Sequence, residues 1–131
     1  MAELFSDAWM KSFMQQWNAE PELSDALAQI GFNSVIGYGF PEDAQPRGVL
    51  TVENGKAVAG GAYAGETLSW DIRASADQWQ KWVKDPPGMM KLGMAFTTGK
   101  MKFKVGDYGA MIKDPRMAGP FIKSFSVMGR A

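Results

Sequence analysis

Residues 67–83 read TLSWDIRASADQWQKWV, and the hydrophobic period changes in the middle of them. Up to Arg73 the pattern is two-residue: Leu68, Trp70 and Ile72 share one face of an extended segment, and Ser69, Asp71 and Arg73 share the other, which the alternation assigns to solvent. From Ser75 the pattern is helical. Ser75 stands where a side-chain oxygen can accept from the free N–H groups of a first turn, and Asp77 falls where the helix dipole favours an acid. Trp79 and Trp82 then follow at three-residue spacing. A strand that gives way to a capped helix within one short stretch places the chain among folds that mix strands and helices.

Upstream, Leu4, Phe5, Ala8, Trp9, Phe13, Met14 and Trp17 recur at three- and four-residue steps and predict an amphipathic helix with an aromatic face. Asn18 to Pro21 breaks it, and Glu22 to Ile30, ending at Gly31, predicts a short second helix. The period then shortens to two, with Phe32, Ser34, Ile36, Tyr38 and Phe40 on one side of an extended segment. FPEDAQPRG (40–48) is a loop rich in Pro, Asp and Gly. VLTVENGKAVAGGAYAG (49–65) reads as two strands joined at Asn54 and Gly55, a pair suited to a tight hairpin turn.

Downstream, Pro86, Pro87 and Gly88 end the tryptophan-bearing helix, and GMMKLGMAF (88–96) predicts a short, mostly buried helix, weakened by Gly93. In GKMKFKVGD (99–107) Met101, Phe103 and Val105 alternate with Lys100, Lys102 and Lys104, predicting a fifth strand with its apolar side inward and its lysines in water. Asp107 is placed to cap a turn carrying Ala110, Met111 and Ile112. Pro115 interrupts, and Phe121, Ile122, Phe125 and Met128 mark a C-terminal helix lying on the body. The expected fold is α+β, an α/β sandwich: a five-stranded mixed, largely antiparallel sheet with helices packed on one face. One domain over residues 1–131, without repeat or linker, accommodates this.

Composition narrows the function. The 131 residues include no Cys and no His, which removes disulfides, thiolate chemistry and the commonest metal ligand and general base. No cofactor or metal is implied. The start, MAELFSDAWMKSFMQQW, lacks a basic leader followed by an unbroken apolar run, the end, MGRA, is no peroxisomal address, and no 18-residue apolar stretch occurs, so a cytoplasmic protein is expected. Residues 1–80 hold 4 basic and 11 acidic side chains, whereas residues 81–131 hold 10 basic and 3 acidic. Either these opposite charges meet across one fold, or the C-terminal third steers an anionic lipid, a CoA thioester or a membrane surface.

Other motifs point less far. Gly60, Gly61 and Gly65 lack the spacing of a phosphate-binding loop and instead mark strand bends or close backbone approaches. Lys100, Lys102 and Lys104 lie on the opposite side of their strand from Phe103, which separates charge from stacking and argues against nucleic acid. An acid/base isomerase or lyase of the ketosteroid-isomerase type would draw on Asp71 with Tyr38 or Tyr63, although Asp71 alternates onto the solvent side. The salient feature is apolar surplus. Seven of ten methionines (Met89, Met90, Met94, Met101, Met111, Met117 and Met128) fall in the last 43 residues among Phe96, Phe103, Phe121 and Phe125. Unbranched, polarizable side chains of this kind suit a deformable apolar cavity better than a rigid core. They also suit a module that presents its Met/Phe surface to a partner protein.

Between Thr67 and Lys113 the sequence resembles the sterol carrier protein 2 family of lipid-transfer domains. The features that carry the resemblance are the Ser75 cap with Trp79 early in the helix, Ala95 and Phe96 followed by Gly99 and Lys100, the alternating strand closed by Gly106 and Asp107, and the small and apolar run Gly109, Ala110, Met111 and Ile112. KDPPGMMKLG (84–93) is richer in Met and Pro than the family pattern, and the tail after Asp114 departs from it. The resemblance implies a sheet and helices enclosing an apolar tunnel for fatty acids, fatty acyl-CoA, sterols or other lipids.

On that reading the protein is a noncatalytic carrier. The ligand would touch Ile36 and Tyr38 on the first strand, Trp70 and Ile72 on the fourth, and Met101, Phe103 and Val105 on the fifth. Trp79, Trp82, Met89, Met90 and Phe96 would form a helical wall, with Phe121 and Phe125 as a movable lid. Lys91, Lys113 or Lys123 would draw an acidic headgroup to the mouth. The expected partners are a hydrophobic small molecule or lipid and, transiently, a membrane surface. Nucleic acid is not expected, and the chain should be a monomer.

Overall fold

The computed structural model describes residues 3–131, in the order α1 (Asp7–Asn18), α2 (Pro21–Gln29), β1 (Ser34–Gly39), β2 (Gly48–Glu53), β3 (Lys56–Ala62), β4 (Trp70–Ala74), α3 (Ala76–Lys84), α4 (Met89–Thr97), β5 (Met101–Val105), α5 (Tyr108–Lys113) and α6 (Pro115–Met128). Met1 and Ala2, part of the start read above as lacking a leader, lie outside the described residues. The five strands form one mixed sheet in the order β3-β2-β1-β4-β5. Only β1 and β4 run parallel; the other neighbouring pairs are antiparallel, as the strand-rich middle of the chain predicts.

Local chemistry sets most of the boundaries. Ser6 caps α1 by accepting from the Trp9 N–H at 3.2 Å, and Ser75 caps α3 by accepting from Gln78 at 3.1 Å. Asn54 and Gly55 both have positive φ, 50° and 80°, which a two-residue turn between twisted strands requires. Pro115, predicted to interrupt, instead begins α6 behind an Asp114 cap, where its missing N–H has no helical partner to lose. Helix α1 lies directly on β2 and β3: a Cβ at Gly60 would stand 2.9 Å from the Met10 carbonyl oxygen, so the close approach foreseen for the glycine run is that of a helix backbone.

The helix-covered face of the sheet carries Ile36, Tyr38, Ile72 and Met101, with Trp70 and Phe103 partly buried beside them. Phe5, Phe13 and Trp79 surround the Tyr38 ring at centroid distances of 5.6, 5.8 and 6.0 Å, joining α1, β1 and α3 in one aromatic core.

The other face of β4 corrects the sequence reading. Asp71 and Arg73, assigned to solvent by alternation, are 5% and 1% exposed. The loop between β1 and β2 folds back over this face, and Pro46 sits so close to Gly37 and Gly39 that a Cβ at either would come within about 3.0 Å of it. Arg73 is satisfied on every side. Its Nε and Nη2 donate to the two Asp71 oxygens at 2.6 and 3.0 Å, and its Nη1 donates to the carbonyls of Phe40 and Asp43 at 3.0 and 2.7 Å. A buried ion pair persists when hydrogen bonds of this kind replace the lost water.

Two further expectations change. The β4–β5 register shifts between Asp71 and Ile72, so that Phe103 opposes Ile72 but Val105 opposes Asp71. One extra residue turns Val105 away from the face of Met101 and Phe103, and it is 40% exposed. Helix α4, expected to be mostly buried, buries only Leu92 and Ala95. It packs on β5 at the sheet edge, and a helix against an edge covers a single stripe.

Candidate functional site

Between the helix-covered face of the sheet and helices α2 and α6 lies an apolar cavity of about 40 Å³. Its sheet wall is Ile36, Tyr38, Trp70, Ile72 and Phe103. Leu23 and Leu27, four residues apart on α2, close one side, and Met111 of α5 with Met117, Pro120 and Phe121 of α6 close the other. The alternation of β1 and β4 places the sheet residues here: in their parallel register Ile36 pairs with Trp70 and Tyr38 with Ile72, and each pair points to the same side.

The polar groups at the wall are already occupied or neutral. Trp17 donates its indole N–H to the Gly55 carbonyl at 2.9 Å, and the Ser124 hydroxyl donates to the Phe121 carbonyl at 2.5 Å. Burial pushes the Tyr38 phenol well above the usual tyrosine range, so it is un-ionised in any physiological medium. The chemistry on offer is therefore apolar contact with no ionised group at the wall.

Six of the side chains predicted to meet a ligand line this cavity: Ile36, Tyr38, Trp70, Ile72, Phe103 and Phe121. Met101, Trp79, Trp82 and Phe125 are buried in the adjoining core, where Trp79 donates to the Gly39 carbonyl at 2.9 Å and its ring lies parallel to that of Phe125. Met89, Met90, Phe96 and Val105 are exposed and outside it. The sequence reading missed Trp17, Leu23, Leu27 and Phe32 as wall residues, although the i, i+4 leucines of α2 were a usable signal. Among the three lysines expected at a mouth, Lys123 is engaged by Glu22 at 3.0 Å and Glu20 at 3.8 Å. Lys91 is loosely paired with Asp85 at 3.8 Å, and Lys113 is exposed at the end of α5.

The geometry separates the groups an acid/base enzyme would need. Asp71 is clamped by Arg73 on the loop-covered face, whereas Tyr38 faces the helices, and the Tyr63 hydroxyl donates to the Glu66 carbonyl at 3.0 Å.

No sequence profile of a known family matches the chain, and no curated protein matches it in sequence. Comparison of folds is decisive. Sterol carrier protein 2 superposes with a TM-score of 0.77 over 98% of this chain and 99% of that one, at 19% identity. This chain has the sterol carrier protein 2 fold. A conserved hypothetical protein of Thermus thermophilus shares the fold with a TM-score of 0.71 at 18% identity, covering 98% of this chain and 92% of its own. The UbiJ-SCP2 ubiquinone synthesis protein shares it with a TM-score of 0.60 at 10% identity, over 92% and 88% of the two chains. Among the described residues no helix is long and apolar enough to cross a membrane.

Proposed function

We propose that the protein is a noncatalytic carrier that holds a lipid between its sheet and helices α2 and α6. The observation that carries this reading is the apolar cavity in that place, in a chain with the sterol carrier protein 2 fold. Its ligands are fatty acids, fatty acyl-CoA, sterol-like or other hydrophobic molecules. Each buried CH₂ contributes about 0.8 kcal/mol without any directional contact, which favours breadth over selectivity. The protein acts as a cytoplasmic monomer that meets a membrane only to load and unload.

At about 40 Å³ the cavity is far below the roughly 300–1,000 Å³ of a site that takes a drug-sized ligand. Loading therefore requires a wall to move. Helix α6 has the features for it: Pro120 inside the helix removes one backbone hydrogen bond, and the flexible Met117 and the Phe121 ring sit beside it. Phe121 moves with this wall and acts as the lid, while Phe125, 5.3 Å from it, stays in the core behind.

Native mass spectrometry of the purified protein, followed by extraction of what it carries, tests the reading. A mixed set of lipids at near one per chain supports it. A chain that arrives empty and takes up neither palmitate nor palmitoyl-CoA overturns it.

A further inference from the structure

We infer that the outer face of α4, with the groove beside it, docks the protein onto an anionic lipid bilayer. This inference rests on the carrier reading for its purpose, but not for its observations. Met90 and Met94, four residues apart, are 80% and 62% exposed, and Met89 is half exposed next to them. Gly93 and Thr97 complete the outward surface, so its centre carries no charge, and α4 contains no acidic residue at all. A soluble helix normally turns charged residues to water; this one turns flexible, polarizable apolar ones.

The flank supplies the complementary charge. Between α3 and α4 runs an open groove of about 480 Å³, lined by Lys81, Lys84, Lys91 and Lys100, with Asp85 its single acidic residue. Among the described residues Lys81, Lys84 and Lys100 form no ion pair. The charge asymmetry of the chain therefore resolves in two ways. Lys123 and Arg130 are engaged by Glu20 and Glu22 across the α2–α6 contact, while Lys81, Lys84 and Lys100 stay available. An apolar ridge beside unneutralised lysines matches the acyl boundary and the headgroup phosphates of an anionic leaflet. A second copy of the chain is disfavoured, because it would bring the same positive groove to the contact.

The ridge is also close to the cavity. Phe96 stacks on Tyr108 at 4.3 Å, and Tyr108 meets Phe103 at 5.4 Å and Phe121 at 6.4 Å, the last two being cavity-wall residues. A bilayer held by α4 thus stands one aromatic layer from the movable wall.

Co-sedimentation of the full chain with phosphatidylcholine vesicles, with and without about a quarter phosphatidylglycerol, tests the inference. Partition should be at least about tenfold stronger on the anionic vesicles and fall as salt rises. Joint Met90→Asp and Met94→Asp substitution should reduce it about tenfold, as should joint Lys84→Glu and Lys91→Glu, with circular dichroism unchanged. Equal partition onto both vesicle types, full binding by the Met90→Asp/Met94→Asp protein, or a wild-type dimer that those substitutions dissolve while vesicles are ignored would each overturn it. Native mass spectrometry of the same samples keeps the two readings apart. Lost docking with lipid still inside leaves the carrier reading intact, whereas an empty cavity with docking retained removes only the carrier reading.

Discussion

The outer face of β4 and the outer face of α4 are opposite in chemistry and opposite in fate. Asp71 and Arg73 are charged, stand at positions that alternation assigns to water, and are buried. Met89, Met90 and Met94 are apolar, stand in a stretch that composition assigns to the core, and are exposed. The difference is what lies over each. A loop eight residues long by number, 40–47, crosses β4 and offers two backbone carbonyls to Arg73, whereas nothing in the described chain crosses α4. Polarity reports a residue's preference, but burial depends on whether a distant segment arrives with the right partners.

The strongest attempt to break this comparison is to remove one member of the buried pair. Asp71→Asn should cost about 3–5 kcal/mol of stability in urea unfolding, because it leaves the Arg73 guanidinium uncompensated. Met90→Ala should stay within about 0.5 kcal/mol. If Asp71→Asn unfolds like wild type, water reaches Arg73 beneath the 40–47 loop.

A covered methionine should behave unlike the exposed ones. Met101, fully buried on β5, should cost about 2–5 kcal/mol as Met101→Ala. Under mild peroxide, peptide mapping should find sulfoxide on Met90 and Met94 before Met101 or Met128, with lipid occupancy unchanged during that early phase. Oxidation of Met101 alongside Met90 would contradict the packing of β5.

The cavity wall stands between these extremes. Met111→Trp overfills it and should cost about 1–3 kcal/mol while sharply lowering co-purified lipid in native mass spectra. The same exchange at Met90 should leave occupancy as it was.

The smallest effect concerns the hold on α6. Arg130 beside Glu20 keeps that carboxyl below its ordinary value of 4.5, helped by the Glu22 N–H and Lys123. A lowered folded-state value means that the contribution is complete above the ordinary value and is lost as pH falls through the lowered one. Acid titration followed by circular dichroism should therefore show a slight loosening below pH 4.5 that Glu20→Gln abolishes.

Much of the fold is legible in local pattern. Asn54-Gly55 names the hairpin, Ser75 the start of α3, and the alternation of β1 and β4 sets Ile36, Tyr38, Trp70 and Ile72 on one side. The cavity is half legible for the same reason. Its sheet wall follows from a two-residue period, but its α2 wall does not, because Leu23 and Leu27 become wall residues only when α6 packs across from them. The methionine surplus divides by the same logic: Met111 and Met117 reach the cavity, Met101 and Met128 the core, and Met89, Met90 and Met94 the surface.

The order and kind of elements rest on interactions within a few residues: caps, turn dihedrals and the side on which successive side chains fall, all of which neighbours in sequence decide. Three outcomes rest on contacts between segments far apart. The register shift that turns Val105 outward, the loop that buries Arg73 and the edge position that leaves α4 uncovered each depend on where a remote stretch of chain comes to rest. Side-chain chemistry alone does not encode that placement, because it is settled by the joint packing of the sheet and its covers.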